Sequence, residues 1–143
     1  MFYKLTPYRR PLIAGFVLLF IGIFIFAEYQ LESILPWSDK LLHIIGGAIS
    51  AWLVYIHYSH IHIHLERRNL RLLIVAGVTL IGVVWEFAEY LSGLCSPHFS
   101  TLLYRYFHGG DLTDTLGDLA ADILGALIFI AIIRLSKTQT GSK

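Results

Sequence analysis

The sequence predicts an all-α fold, an integral membrane four-helix bundle with a short interfacial helix in its third loop. Of its 143 residues, 56% are hydrophobic and only 15% are charged, which is too apolar for an ordinary soluble domain. Four apolar runs also reach the length of about 20 residues that a transmembrane helix needs. The length leaves room for one domain, so we interpret residues 1–143 as a single transmembrane domain.

The four predicted spans cover about 11–31, 40–58, 70–91 and 114–134. The first span follows a basic stretch, as a signal peptide does, but bulky and charged residues stand where a cleavage site would need small ones. We therefore expect a retained first helix. The interfacial helix is predicted at about 97–108, where apolar residues recur at helical spacing between Ser96-Pro97 and Gly109-Gly110.

Basic residues in the flanks of the spans predict the orientation. Nine fall on one side and two, Lys40 and Arg105, on the other, and the richer side is normally cytoplasmic. We expect a bacterial inner (plasma) membrane protein with both termini in the cytoplasm. The nine residues are Lys4, Arg9, Arg10, Arg67, Arg68, Arg71, Arg134, Lys137 and Lys143.

Acidic residues and one histidine occur within or beside the apolar runs at helical spacing. A carboxylate at a helix centre costs about 2.5–3.5 kcal/mol to insert into a bilayer, so such residues are functional candidates by default. The predicted topology places all of them near the non-cytoplasmic end of the bundle. They are Asp39 and His43 in the second span, Glu86 and Glu89 in the third, and Asp111, Asp114, Asp118 and Asp122 at the fourth.

These carboxylates cannot all be ionised, adjacent and unaccompanied, because two unit charges 4 Å apart repel by about 4 kcal/mol at an effective dielectric of 20. Shared protons, a bound cation or helical faces that point apart would each resolve the conflict. Our leading hypothesis is a divalent metal, with Mg²⁺, Mn²⁺ or Ca²⁺ favoured over Zn²⁺ or Fe²⁺ because oxygen ligands dominate. The predicted metal ligands are His43, Glu89, Asp114, Asp118 and Asp122, with Glu86 as general base and Asp39 and Asp111 as further candidates.

Structural roles compete with this hypothesis for some of these residues. Asp111 or Asp114 can cap the fourth helix, and Asp39 can interact with a helix dipole. His43 can be a hydrogen-bonded packing residue. Capping does not explain the remaining four acidic residues, which lie too far from helix starts. A second histidine group, His57, His60, His62 and His64, lies at the cytoplasmic end of the second span and has either an interfacial or a metal-binding role.

Small residues at four-residue spacing predict how the spans pack. Gly117, Ala121 and Gly125 repeat beside the acidic face of the fourth span, and Gly46 with Ser50 and Gly47 with Ala51 do the same in the second. Such stripes let transmembrane helices approach closely. We expect close helix contact at these stripes, which would bring polar neighbours together.

Three motifs in this order resemble the YjdF-like family of small bacterial inner-membrane proteins. They are D-K-L-L-H at 39–43, W-E-F-A-E at 85–89 and G-D-L-T-D-T-L-G-D at 110–118, and the likeness covers roughly residues 38–130. The resemblance implies a multi-pass membrane protein of unestablished activity. A looser similarity to VanZ-like antibiotic-tolerance proteins rests on D-K-x-x-H, although Asp122 stands where asparagine is expected.

The leading function is therefore binding of a divalent cation together with a lipid or envelope phosphate group, so that membrane lipid is the expected partner. Two alternatives remain: a cation or proton transport component, which would need a homo-oligomer, and a non-catalytic membrane scaffold. Nucleic acid is excluded as a partner because the net charge is only +1 and basic residues form no polar face.

Overall fold

The computed structural model describes residues 6–27, 34–35, 37–60, 65–94 and 111–140, and within these ranges it contains four long helices and no strand. A short turn at Thr6–Tyr8 leads into α1 (Arg9–Ile21), which continues as a π-helical segment at Gly22–Ala27. The remaining helices are α2 (Ser38–His60), α3 (Arg67–Leu94) and α4 (Leu112–Thr140). All four are long and apolar enough to cross a membrane, and the predicted all-α membrane bundle is confirmed.

Helices α3 and α4 extend further than the spans read from the sequence, because their polar ends continue the helix beyond the apolar run. The predicted interfacial helix at about 97–108 lies outside the described residues. So do His62, His64 and Arg105.

Helix α2 lies at the centre of the bundle, in contact with each of the other three helices, and its most extensive contact is with α4. Glycine permits this approach. A Cβ atom on Gly47 would overlap the backbone of Asp122, and one on Gly125 would overlap the carbonyl oxygen of Ile44. Gly47 and Gly125, one from each small-residue stripe, thus lie where α2 and α4 meet, and this contact brings polar side chains of the two helices together.

Burial in this bundle is the reverse of that in a soluble protein. The apolar core is small and consists of Ala51, Ile74, Val78 and Ala126, with Tyr55 and Phe129 packed edge to face beside it. Large apolar side chains such as Phe16 and Leu80 are exposed instead. Lipid is as apolar as leucine, so a membrane bundle gains little from hiding such side chains and depends on close packing and polar contacts.

The polar residues divide between the two ends of the bundle. One end, at the start of α2 and α4, carries Asp39, Lys40 and Asp114, and we call it the acidic end. The opposite end carries Arg67 at the start of α3 and Arg134 near the end of α4, and we call it the arginine end.

Candidate functional site

Lys40 of α2 joins the acidic residues of α4. Its Nζ donates hydrogen bonds to Asp114 Oδ1 at 2.5 Å and to Asp118 Oδ1 at 2.6 Å, and it lies 3.4 Å from Asp39 Oδ2. Three carboxylates thus surround one ammonium group. Part of the counter-charge that the acidic cluster needs is supplied by the chain itself.

His43 lies one turn deeper in α2 and contacts carboxylates through both ring nitrogens. Its Nδ1 is 3.4 Å from Asp122 Oδ1, while its Nε2 is 3.7 Å from Asp118 Oδ1 and 4.0 Å from Asp39 Oδ1. A histidine whose Nδ1–H donates to a carboxylate presents Nε2 as the nitrogen available to a ligand. Asp122 thus lies beside Nδ1, while Nε2 faces Asp118 and Asp39.

Three residues have the geometry of a cation site. One ligand atom each from Asp39, His43 and Asp118 can be chosen so that all lie within 4.8 Å of one another. The helical register creates this group, because Asp39 and His43 are four residues apart on α2 and Asp118 lies opposite them on α4. Asp39 belongs to this trio, whereas the sequence had ranked it behind other acidic residues.

The cluster is buried at its base and open at the membrane surface. The Asp118 side chain is 3% exposed, whereas those of Asp39, Lys40 and Asp114 are 35%, 33% and 39% exposed. Helix α3 closes the base, since a Cβ on Gly82 would lie 2.5 Å from Asp122 Oδ2. Among the described residues, the cluster is therefore covered on the side of α3 and accessible at the acidic end.

Glu86 and Glu89 of α3 border this group and lie outside the trio. Glu86 interacts electrostatically with His43, Asp114 and Asp122, and its buried Oε1 has no hydrogen-bond partner among the described residues. Glu89 accepts a 2.7 Å hydrogen bond from Trp85 Nε1 within its own helix. Glu86 therefore lies beside the trio without belonging to it.

Asp111 has a local structural role. Its Oδ1 accepts hydrogen bonds from the backbone N–H groups of Thr113 and Asp114, at 2.9 and 3.0 Å, and so caps the start of α4. This is the capping alternative that the sequence left open. The residue is exposed and is not part of the trio.

Two relations in this site were not visible from spacing within each helix. In the sequence, Lys40 served only to predict orientation, yet Lys40 bridges Asp114 and Asp118. Its position three residues before His43, on the same face of α2, was the available signal. The pairing of Asp122 with His43 Nδ1 depends on the closeness of α2 and α4, which their glycines indicate but do not specify.

Comparison with known proteins agrees with this description. The family model described as "Predicted membrane protein (DUF2238)" matches residues 3–139. The YjdF-like resemblance is consistent with that family. No curated protein and no solved structure matches the chain. With nearly its whole length covered by the family model, the chain belongs to the DUF2238 family of predicted membrane proteins.

Proposed function

We propose that the pocket at the acidic end binds a divalent cation through Asp39, His43 and Asp118. The observation that carries the proposal is the orientation of His43, whose Nδ1 faces Asp122 while its Nε2 faces Asp39 and Asp118. Metal-binding histidines nearly always donate their second ring N–H to a carboxylate or carbonyl in this way. Asp122 then acts as a positioning residue.

The distances fit a cation without rearrangement of the helices. Ligands of Mg²⁺ or Mn²⁺ lie about 2.1 Å from the ion and those of Ca²⁺ about 2.4 Å, so any two ligands of one ion are at most about 4–5 Å apart. The three ligand atoms lie within 4.8 Å of one another, which meets the limit for Ca²⁺. Mg²⁺ or Mn²⁺, with a limit of about 4.2 Å, would require the three side chains to move slightly closer together. Two carboxylates and one imidazole favour Mg²⁺, Mn²⁺ or Ca²⁺, as the sequence suggested.

Lys40 connects the cation to a phosphate ligand. It shares Asp118 Oδ1 with the proposed ion, so a bound cation weakens the hold of Asp118 on the ammonium group. One-third of the Lys40 side chain is exposed at the mouth of the pocket. Cation and ammonium together suit a phosphate oxygen of a lipid or envelope molecule, and Glu86 is placed to serve as general base toward such a ligand.

The location of the pocket in the cell is part of the same proposal. Under the positive-inside rule, the basic residues at the arginine end favour a cytoplasmic position for that end. The acidic pocket would then open at the outer face of a bacterial inner membrane. Glu89 and Asp114 are further ligands within this proposal, Glu89 on condition that it leaves Trp85.

Mn²⁺ titration of the purified full-length protein tests the site. Electron spin-echo spectroscopy detects a directly coordinated ¹⁴N nucleus, so the wild-type complex is expected to show the imidazole signal and the His43→Gln complex to lack it. Asp118→Asn should weaken Mn²⁺ binding by about tenfold or more, since second-shell losses alone cost about 10–100-fold. Asp122→Asn should weaken it less and leave the nitrogen signal in place.

Asp111→Asn is the matched control, because it removes one carboxylate from the same end without touching the trio. If Asp111→Asn and Asp118→Asn weaken Mn²⁺ binding equally, the cation is attracted only by general negative charge and the proposal is wrong. Absence of the ¹⁴N signal from the wild-type complex would also overturn it.

A non-catalytic scaffold is the second candidate, and the Lys40 contacts favour it. The ion pairs from Lys40 to Asp114 and Asp118 join α2 to α4 without any ligand. A scaffold of this kind would be equally stable with and without Mn²⁺. Thermal unfolding of the wild-type protein in the two conditions separates the candidates.

A further inference from the structure

The arginine end contains a cavity that the acidic pocket does not explain. It has a volume of about 500 Å³ and lies between α2, α3 and α4. Arg67, Arg71 and Arg134 line it, together with Tyr55 and a floor formed by Leu70, Ile74 and Ile130. We propose that this cavity binds one anionic phospholipid, with its phosphate on the arginines and the start of an acyl chain on the apolar floor.

The charge of the cavity favours an anion. Three guanidinium groups line it, and no acidic side chain among the described residues does. Arg67 and Arg71 are four residues apart on one face of α3, where like charges repel, and Arg134 adds a third from α4. An anion between them would relieve this repulsion.

Arg71 also retains donors that a phosphate needs. Arg71 uses Nε in a 3.2 Å hydrogen bond to the carbonyl oxygen of Arg67, a bond that does not involve its two terminal nitrogens. Guanidinium groups bind phosphate oxygens in a bidentate manner, with planar geometry and two parallel hydrogen bonds.

The apolar floor indicates a lipid rather than a free phosphate. Ile74 is buried, and Leu70 and Ile130 are half-buried beside it, so the cavity continues from the charged rim toward the hydrocarbon layer. Its volume falls within the range of about 300–1,000 Å³ typical of small-molecule sites. Basic pockets between transmembrane helices are a known arrangement for phospholipid head groups.

Native mass spectrometry of the full-length protein in a neutral detergent tests this proposal. Dioleoyl phosphatidylglycerol and dioleoyl phosphatidylcholine, which share acyl chains, are titrated in parallel. We expect tight binding of one phosphatidylglycerol and at least about tenfold weaker binding of phosphatidylcholine. Equal affinity for the two lipids would overturn the proposal.

Matched double variants separate the cavity from general surface charge. Arg71→Ala/Arg134→Ala removes two charges from the cavity, while Arg9→Ala/Arg68→Ala removes two exposed charges from the same end without altering its lining. The first should weaken phosphatidylglycerol binding by about tenfold or more and the second by less than about twofold. Equal losses would show that the lipid follows only bulk charge.

Two further experiments test whether the acyl chain of the lipid contributes to binding, with a control for misfolding. Ile130→Trp fills the floor without a change in charge, and Ile132→Trp places the same side chain on the exposed face. Only Ile130→Trp should weaken phosphatidylglycerol binding, with both variants eluting as the wild type does on size exclusion. If glycerol 3-phosphate displaces phosphatidylglycerol completely, the site binds a free phosphate and the lipid assignment is wrong.

Discussion

The two ends of this bundle place charge in opposite ways. At the acidic end, carboxylates of α4 meet Lys40 and His43 of α2 in a cluster whose base is almost fully buried. At the arginine end, three guanidinium groups of α3 and α4 surround an open cavity, and none of the described residues that line it is acidic. The first end has a lysine among its carboxylates and a small space for a cation, whereas the second has a basic lining and space for a larger anion.

This difference follows from how closely the helices approach. Gly47 and Gly125 bring the backbones of α2 and α4 into contact near Asp122 and Ile44, so side chains at the acidic end reach one another directly. Nearer the arginine end, Tyr55 and Phe129 pack between the same helices with ring centroids 6.1 Å apart. Where small residues let α2 and α4 approach closely, polar side chains form an ion-pair cluster. Where larger residues separate the two helices, a cavity lies beside them.

Substitution of Lys40 by methionine should have the largest effect. It leaves Asp114 and Asp118 without their ammonium partner, and breaking a buried ion pair costs about 3–5 kcal/mol. Because Lys40 is one-third exposed, we expect the free energy of unfolding to fall by about 2 kcal/mol. SDS-induced unfolding in mixed micelles measures this change.

The effect of Mn²⁺ on the stability of Lys40→Met distinguishes a cation site from a scaffold. If the acidic end is a cation site, the ion replaces the lost positive charge and stabilises Lys40→Met more than the wild type. Arg68→Met, which removes an exposed charge from the other end, should change stability by less than about 0.5 kcal/mol and show no added response to Mn²⁺. A Lys40→Met protein that Mn²⁺ does not stabilise would favour the scaffold.

The close contact of α2 and α4 gives the second prediction. Gly47→Ala places a methyl group against the backbone of Asp122 and should lower the free energy of unfolding by about 1–2 kcal/mol, in the lower part of the range for overpacking. It should also separate Asp122 from His43 and so weaken Mn²⁺ binding. Unfolding and Mn²⁺ titration of one preparation measure both effects.

The neighbouring glycine is the control for this substitution. A Cβ on Gly46 would lie 3.7 Å from Leu18 Cδ2, an ordinary contact with α1. Gly46→Ala should therefore leave both stability and Mn²⁺ affinity close to those of the wild type. Equal losses in Gly46→Ala and Gly47→Ala would mean that helix contact at Gly47 does not organise the acidic end.

The sequence predicted which residues lie at the acidic end better than it predicted the contacts between them. Spacing placed Asp39 with His43 and Asp114 with Asp118 on single helical faces, because helical period is a local property. Which oxygen meets which nitrogen depends on the rotation of two helices about their axes, and only packing determines that. Trp85 illustrates this limit of the sequence. Its hydrogen bond to Glu89 holds a predicted metal ligand on its own helix, although the i,i+4 spacing of the two residues is visible in the sequence.

For the arginine end, the sequence predicted the orientation in the membrane but no binding site. The basic residues were interpreted only as a signal of orientation, since the positive-inside rule explains any cluster of this kind. Their cavity arises from residues far apart in the chain, Arg71 on α3 and Arg134 on α4, with Tyr55 of α2 between them. No spacing within one helix carries that information.

Loss of the Asp111 cap should have a smaller effect than either change above. Asp111→Ala removes the acceptor of two backbone N–H groups and should lower the free energy of unfolding by about 1 kcal/mol. Mn²⁺ affinity should not change, because Asp111 is not in the trio. Asp111→Ser, which restores a capping oxygen without the charge, should recover most of the stability; a large fall in Mn²⁺ affinity would instead return Asp111 to the ligand set.

The smallest expected effect is coupling between the two ends. Asp39 and Tyr55 are 16 residues apart on α2, which corresponds to about 24 Å of helix, and the two sites share no residue. Sites separated by more than about 10 Å without common partners usually act additively. Phosphatidylglycerol affinity measured with and without saturating Mn²⁺ should therefore agree within about twofold.

A larger change in that measurement would be informative because linkage is reciprocal. If Mn²⁺ at one end altered lipid affinity at the other by about fivefold or more, the bundle would have two conformations that both ligands distinguish. Transport requires such conformations, since an ion must leave on the side opposite to its entry. The described part of α3 between the two ends, Leu72 to Val84, is almost wholly apolar and offers an ion no polar path, so we expect the two ends to bind their ligands independently.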